Sequence, residues 1–169
     1  IDDETLAEAG RLVWQGRGEG LFSASSSGLQ YALAAHWRRL GLLPQTPSLP
    51  AADPVGAIAV VSGSCSPVTA EQIARARAQG FVTLRLDIAL LLDPGAGNTE
   101  IDRVVTAAAE ALDRGQSPLI HSAKGPDDPA VTGFDALAAA AGLSRSAAAG
   151  QVGTALGEAM RRLLGRAPA

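Results

Sequence analysis

Short apolar runs alternate with segments of helical periodicity from residue 56 onward, and this alternation limits the possible folds most strongly. The runs predict strands at Gly56–Ser62, Phe81–Leu86 and Pro118–Ser122. The segments between and after them predict helices over Thr69–Gln79, about 98–114 and about 146–164. A βαβαβα order is typical of a parallel sheet, because each helix carries the chain back to the starting edge. We therefore predict an α/β fold with a three-layer, Rossmann-like parallel sheet.

The end of this pattern leaves the predicted sheet incomplete. A crossover helix normally leads into another strand, but the last helix runs into Arg166–Ala169 without one. We expect a truncated sheet.

Residues upstream of the sheet have a different organisation. Helical spacing predicts helices over residues 3–15 and about 29–40, with a short strand at Leu21–Ala24 between them. Residues 44–54 contain four prolines, which favour an extended linker. We predict that residues 1–43 are the end of a second α/β domain and that the sheet domain covers residues 55–169.

Composition excludes several classes of protein. Hydrophobic residues make up 47% and charged residues 18%, as in a folded core. The net charge of −3 argues against nucleic-acid binding, and no apolar stretch reaches the roughly 20 residues of a membrane span. A single cysteine, Cys65, cannot form an internal disulfide, which favours a reducing cytoplasm.

The segment Ser62–Thr69 links a predicted strand to a predicted helix start. Free N–H groups at such a start attract phosphate. The hydroxyl groups of Ser62, Ser64 and Ser66 add donors, and Gly63 permits close approach of the backbone. The P-loop spacing and the dinucleotide fingerprint are both absent. An ordinary turn with a serine cap at Ser66-Pro67 remains the alternative.

Single reactive side chains give weaker signals. Cys65 lies near a helix start, but no base partner is evident, so we interpret it as a small buried thiol. His36 and His121 lie in separate segments without the clustering of a metal site, and we interpret both as packed, hydrogen-bonded residues.

Two further loops could bind anions or metal. In the loop Ser122–Pro129, Lys124 and Gly125 could face phosphates, and Asp127 or Asp128 could hold Mg²⁺. The sequence Gly-Pro-Asp-Asp-Pro is also typical of an ordinary turn, and a solvated turn is the favoured interpretation. The loop containing Ser26, Ser27 and Gly28 precedes a predicted helix in the same way, and a serine cap competes there.

The run Val60–Ile73, VVSGSCSPVTAEQI, resembles the opening of the nucleotide-binding domain of four-carbon acid sugar kinases. Phe81–Asp87 resembles that family's second strand, and His121–Pro129 its polar loop ending in Gly-Pro-Asp-Asp-Pro. Ser25–Leu33 resembles the small-residue motif that closes the family's substrate-binding domain.

The resemblance implies a function and cofactors. The family phosphorylates small sugar acids such as threonate, erythronate and their oxo derivatives, with ATP and Mg²⁺. It implies that Ser64 contacts the nucleotide, with Gly63 and Ser66 beside it. The expected partners are a sugar acid and ATP, with a homodimer left open.

Departures from the family pattern set the limits of this interpretation. The acidic Asp-Asp segment and the glycine-rich loop of the family have no match, so the catalytic residues are expected outside this chain. Ala24–Gly28 also departs from the usual Gly-Ser-Ser-Gly, which weakens the predicted substrate contact. We expect a kinase fragment that is inactive alone. A non-catalytic nucleotide- or sugar-acid-binding module is the alternative, and a Rossmann-like redox enzyme is disfavoured by the missing fingerprint.

Overall fold

A computed structural model describes residues 2–45, 51 and 53–166 of the chain. The chain divides into two units, Ile1–Asp53 and Pro54–Ala169. This division falls inside the proline-rich segment 44–54, of which residues 46–50 and 52 lie outside the described residues.

The first unit is a pair of packed helices, α1 (Asp3–Gln15) and α2 (Ser27–Arg39), close to the predicted bounds. Asp2 caps α1 by accepting a hydrogen bond from the Thr5 N–H at 2.8 Å. The rings of Trp14 and Trp37 meet edge to face, with centroids 5.3 Å apart. Aromatic packing thus joins the two helices.

The predicted strand at Leu21–Ala24 is wrong. These residues form irregular backbone, and Phe22 is 92% exposed. A strand needs a neighbouring strand for its N–H and C=O groups, and the described part of this unit offers only helices.

The second unit contains the predicted sheet together with more helices than the sequence indicated. Its elements in chain order are β1 (Val60–Ser62), α3 (Pro67–Ala78), β2 (Val82–Arg85), α4 (Ile88–Leu92), α5 (Gly97–Asp113), β3 (Pro118–His121), α6 (Pro129–Thr132), α7 (Phe134–Ala140) and α8 (Arg145–Leu164).

The three strands are parallel and lie in the order β1-β3-β2. Val61 of β1 and Leu84 of β2 both pair with Ile120 of β3. The central strand β3 is buried throughout, whereas β1 is only half-buried. The predicted α/β fold with a small Rossmann-like parallel sheet is confirmed. The predicted first strand, Gly56–Ser62, is longer than the observed β1.

The helices lie on opposite faces of this sheet. Val61, Leu84 and Ile120 belong to one core that includes residues of α4, α5, α7 and α8. Ile73 of α3 is buried but is not part of that core. The helix α3 links β1 to β2, and α5 links β2 back to β3, so the two connections run in opposite directions along the sheet. Because such connections are right-handed, their helices must lie on opposite faces.

Aspartate caps account for two helices that sequence periodicity missed. Asp87 Oδ1 accepts from the N–H groups of Ala89 and Leu90 and so starts α4. Asp128, followed by Pro129, caps α6 in the same way. The predicted helix at about 98–114 is α5, which begins at Gly97 without a side-chain cap.

A buried carboxylate fixes the end of β2. Glu100 of α5 is 2% exposed, and its carboxylate accepts hydrogen bonds from Arg103 and from the Asp87 N–H at 2.7 Å. Arg103 Nη2 in turn donates to the Arg85 carbonyl at 2.7 Å. The chain leaving β2 is thereby held by α5 on both its N–H and its C=O groups.

The closest approach between α1 and α2 supplies a stability test. A Cβ added at Gly10 would lie 2.0 Å from the Ala32 carbonyl oxygen, so Gly10→Ala must separate the helices. We expect faster amide hydrogen exchange in α1 and α2 and a loss of about 1–3 kcal/mol, typical of overpacking.

Gly157→Ala, on α8, is the matched control because its added methyl group meets nothing within 4 Å. It should leave exchange in α1 and α2 unchanged. Equal exchange in Gly10→Ala and the unsubstituted chain would contradict the described packing.

Candidate functional site

The carboxyl ends of the three strands lie at one edge of the sheet, and the chain leaves adjacent strands in opposite directions there. After β1 it enters α3 on one face, whereas after β3 it runs to α8 on the other. The Ser122 N–H donates to the Ser62 carbonyl at 3.1 Å, so the two strands stay paired to this point. A crevice between strands whose connections diverge is where open α/β sheets bind ligands.

The loop after β1 forms the start of α3 as predicted. Ser66 is the cap, and its Oγ accepts from the Thr69 N–H at 3.1 Å, with Pro67 at the first helical position. The free N–H groups of this first turn point out of the helix start. The serine cap considered from the sequence is therefore present, and it is compatible with an anion in front of the helix.

The hydrogen bonds of this loop give the Ser64 and Ser66 hydroxyl groups different roles. Thr69 Oγ1 donates to Ser64 Oγ at 2.8 Å, so the bond of 2.9 Å between Ser66 Oγ and Thr69 Oγ1 takes its proton from Ser66. Ser64 Oγ also accepts from the Ser66 N–H at 3.3 Å. Among the described hydrogen bonds of the loop, the Ser64 proton has no acceptor, and Ser64 is exposed.

Gly63 and Cys65 flank Ser64. A Cβ at Gly63 would lie 3.1 Å from Leu156 Cδ1, so glycine lets the loop lie against α8. Cys65 is exposed, with Sγ 3.9 Å from the Gly63 carbonyl oxygen. The interpretation of Cys65 as a buried thiol is wrong, because the loop turns outward before α3 begins.

An apolar cleft of ≈ 280 Å³ opens beside this loop, on the α8 side of the sheet. Gly63 and Cys65 of the loop after β1 line it, together with Ser122 and Ala123, which follow β3. The remaining wall comes from α4, α6, α7 and α8. The cleft therefore occupies the crevice between β1 and β3.

The loop after β3 is organised by the carboxylate of Asp128, which is 7% exposed. Its Oδ2 accepts from Arg85 Nη1 at 3.1 Å and from the Lys124 N–H at 2.8 Å. Its Oδ1 accepts from Arg85 Nη2 and from the Ala130 N–H at 2.9 Å. Burial alone would raise the pKa of Asp128, but these hydrogen bonds outweigh it and lower the pKa below the usual aspartate value.

These bonds occupy both Asp128 oxygens, so Asp128 does not fit the predicted role of a Mg²⁺ ligand. Asp127 is exposed. Gly125 has a φ of +109°, which favours glycine, and a Cβ there would lie 3.0 Å from Ala70 Cβ. The loop thus rests on the first turn of α3, with the exposed Lys124 one residue away.

Both histidines are buried, as expected, but the predicted hydrogen bonding of His121 is not complete. His121 is 1% exposed, and its Nδ1 has no hydrogen-bond partner among the described residues. Burial, followed by the positive charges of Lys124 and Arg85, lowers the pKa of His121 to about 4. The imidazole is therefore neutral at pH 7.

The predicted substrate-side loop lies in the first unit. Ser26 caps α2, its Oγ accepting from the Gly28 N–H at 3.3 Å, so Ser27 and Gly28 are already helical. The role of this loop in substrate binding stays a prediction.

Some residues of the site went unnoticed in the sequence. Arg85 holds Asp128 across 43 residues of chain, a separation that no local motif reveals. Phe134 and Arg145 line the cleft from α7 and α8. Gly133, which precedes α7, is a weak helix-start signal, and Ser144, which caps α8, is an ordinary one. The Asp128-Pro129 pair was the available signal for α6.

No group of three or more His, Cys, Asp or Glu side chains in the described part of the chain could hold a metal ion. No helix in residues 2–45 and 53–166 is long and apolar enough to cross a membrane.

A parallel sheet with a helix-start loop and an adjoining apolar cleft at its topological switch point has the features of a nucleotide-binding α/β domain. Residues 59–169 match the family described as "Nucleotide-binding C-terminal domain". The chain belongs to this family, which confirms the resemblance seen in the sequence.

The chain is similar to named kinases. It is 72% identical over 164 residues to "3-oxo-isoapionate kinase" from Paraburkholderia graminis, covering 97% of this chain and 35% of that protein. It is 37% identical over 105 residues to "3-oxo-tetronate kinase" from Cupriavidus necator, covering 60% of this chain and 22% of that protein. The chain thus spans about a third or less of these relatives. No solved structure gives a significant match.

Asp128 yields a pH-dependent stability prediction. Asp128→Asn places an N–H group against donors that need an acceptor, and we expect a loss of about 2–3 kcal/mol at pH 7 by urea unfolding. Because the native pKa is lowered, the carboxylate stabilises the fold above the usual aspartate pKa of 3.8. That advantage over Asp128→Asn should shrink as the pH falls below this value.

Asp127→Asn is the control, since Asp127 is exposed beside it. A similar loss in both variants, or none in Asp128→Asn, would contradict the organising role of Asp128.

Proposed function

We propose that this chain supplies one wall of the ATP site in a kinase that phosphorylates a small 3-oxo sugar acid. The membership of residues 59–169 in a nucleotide-binding family supports the ATP site. Both kinase relatives are named for a 3-oxo sugar acid, which supports the substrate class. The higher identity favours 3-oxo-isoapionate over a four-carbon tetronate, threonate or erythronate.

The single observation that carries this proposal is the exposed Ser64 hydroxyl at the start of α3. Its oxygen already accepts hydrogen bonds from Thr69 Oγ1 and from the Ser66 N–H. Its proton can therefore be donated to an acceptor on a ligand. Phosphate oxygens are strong acceptors, and hydrogen bonds to charged groups are the stronger ones. Ser64 would donate to a phosphate, with Ser66 acting mainly as the helix cap and Gly63 and Ser62 shaping the loop.

Lys124 completes the proposed phosphate contacts. It is exposed, and its loop touches α3 through Gly125 and Ala70. A lysine charge beside a helix start neutralises phosphate oxygens, which is much of what phosphoryl transfer requires of the protein. The Asp128 carboxylate would hold this loop in place rather than contact the nucleotide.

Mg²⁺ accompanies ATP in phosphoryl transfer, where it neutralises phosphate charge. The loop at residues 124–129 does not fit a Mg²⁺ site through Asp128, because four hydrogen bonds already occupy that carboxylate.

We further propose that the catalytic groups and the rest of the sugar-acid site lie in a longer protein, of which this chain is a part. The chain covers 35% of the 3-oxo-isoapionate kinase. The single cysteine supports work in the reducing cytoplasm. This chain alone should bind ATP weakly and catalyse nothing.

An ATP-consumption assay of the complete protein over a panel of oxo sugar acids tests the activity. We expect turnover with 3-oxo sugar acids and highest kcat/KM with 3-oxo-isoapionate. Tight ATP binding without turnover on any acid would instead support a non-catalytic binding module.

Ser64→Ala tests the nucleotide contact. We expect ATP affinity to fall by about 1–2 kcal/mol in calorimetry of the complete protein, the scale of one hydrogen bond to a charged group. Thr106→Ala, which removes an exposed hydroxyl from α5, is the control and should bind as before. Unchanged affinity in Ser64→Ala would remove Ser64 from the site.

A further inference from the structure

The apolar cleft at the β1–β3 crevice is continuous with the Ser64 loop. Gly63 and Cys65, on either side of Ser64, both line the cleft. A ligand whose phosphate accepts from Ser64 therefore has this cleft as its immediate neighbour. The cleft lies within the second unit, so its walls are all described together.

The size and chemistry of the cleft suit only one part of a nucleotide. Its volume of ≈ 280 Å³ is below the range of about 300–1,000 Å³ typical of sites that enclose a whole small ligand. Its lining is mainly aliphatic, including Val131, Val152 and Leu156. Such walls repel phosphate, because burying a charge without partners is costly, but they suit a flat, largely apolar ring.

Part of the cleft lining consists of planar groups. The Arg145 guanidinium lies 5.5 Å from the centroid of the Phe134 ring and is paired with Asp135. Guanidinium and aromatic planes both stack well on heterocyclic rings. Among the described residues lining the cleft, Arg145 is the charged one, so it can also donate to a ring nitrogen.

We propose that this cleft binds the base of the nucleotide, in contact with the neighbouring Phe134 and Arg145 and with the aliphatic residues of α8 that line it. This inference rests on the proposed ATP site, because it places the base relative to phosphates held by Ser64. It makes Val152, Gly153 and Arg145 residues that determine nucleotide affinity.

Gly153 gives a way to fill the cleft without disturbing the fold. It lines the cleft on α8, and a Cβ added there meets nothing within 4 Å. Gly153→Leu therefore occupies cleft space, while leucine favours the helix more than glycine does. Gly157→Leu, one turn further along α8, also points into open space but does not line the cleft, and it is the matched control.

The test is an NMR titration of this chain with ATP, which suits weak binding. Amide signals of Ser64 and Thr69 report the phosphates, and methyl signals of Val131, Val152 and Leu156 report the base. We expect both sets to shift in the unsubstituted chain and in Gly157→Leu. In Gly153→Leu the affinity for ATP should fall about tenfold or more, because the leucine side chain excludes the base from the cleft.

The outcomes separate the two proposals. Shifts confined to the loop amides, or an unchanged affinity in Gly153→Leu, would overturn the base cleft and leave the phosphate site standing. If ATP shifts neither set of signals, the proposed nucleotide site itself fails, and the base cleft fails with it.

Discussion

The position of β3 between β1 and β2 is the constraint on which the second unit depends. Because β3 pairs with both neighbours, its residues are buried throughout and its carboxyl end lies at the middle of the sheet edge. The two crossovers then run in opposite directions, which places α3 on one face and the later helices on the other. The crevice between β1 and β3 is a direct consequence, and the Ser64 loop and the apolar cleft both open into it.

Long-range polar contacts hold the chain where it leaves β2 and β3. Asp128 joins β2, through Arg85, to the loop after β3, and Glu100 with Arg103 ties the end of β2 to α5. Removing either arginine would leave a buried carboxylate without its partner, which is costly. The same arrangement commits the Asp128 carboxylate to the fold. Nucleotide contacts in this account therefore fall to hydroxyl, N–H and lysine groups.

Much of the fold could be predicted because its signals are local. Apolar runs and capping residues such as Ser66-Pro67 gave the three strands, the fold class and most helices. The strand expected at Leu21–Ala24 is absent, since a strand depends on a neighbour that no local pattern reveals. Ser64 was singled out because its motif resembles the family's, and its contact with the nucleotide stays a proposal, whereas the surrounding cleft was not predicted. Its walls come from helices distant in sequence, and the exposure of Cys65 depends on how the loop turns between them.

The central claim is that phosphates bind at the β1–β3 crevice through the Ser64 hydroxyl. A crystal structure of the complete protein with a non-hydrolysable ATP analogue tests it most directly. The account predicts a phosphate oxygen within hydrogen-bond distance, about 2.5–3.0 Å, of Ser64 Oγ. An analogue bound with its phosphates away from the start of α3 would contradict it.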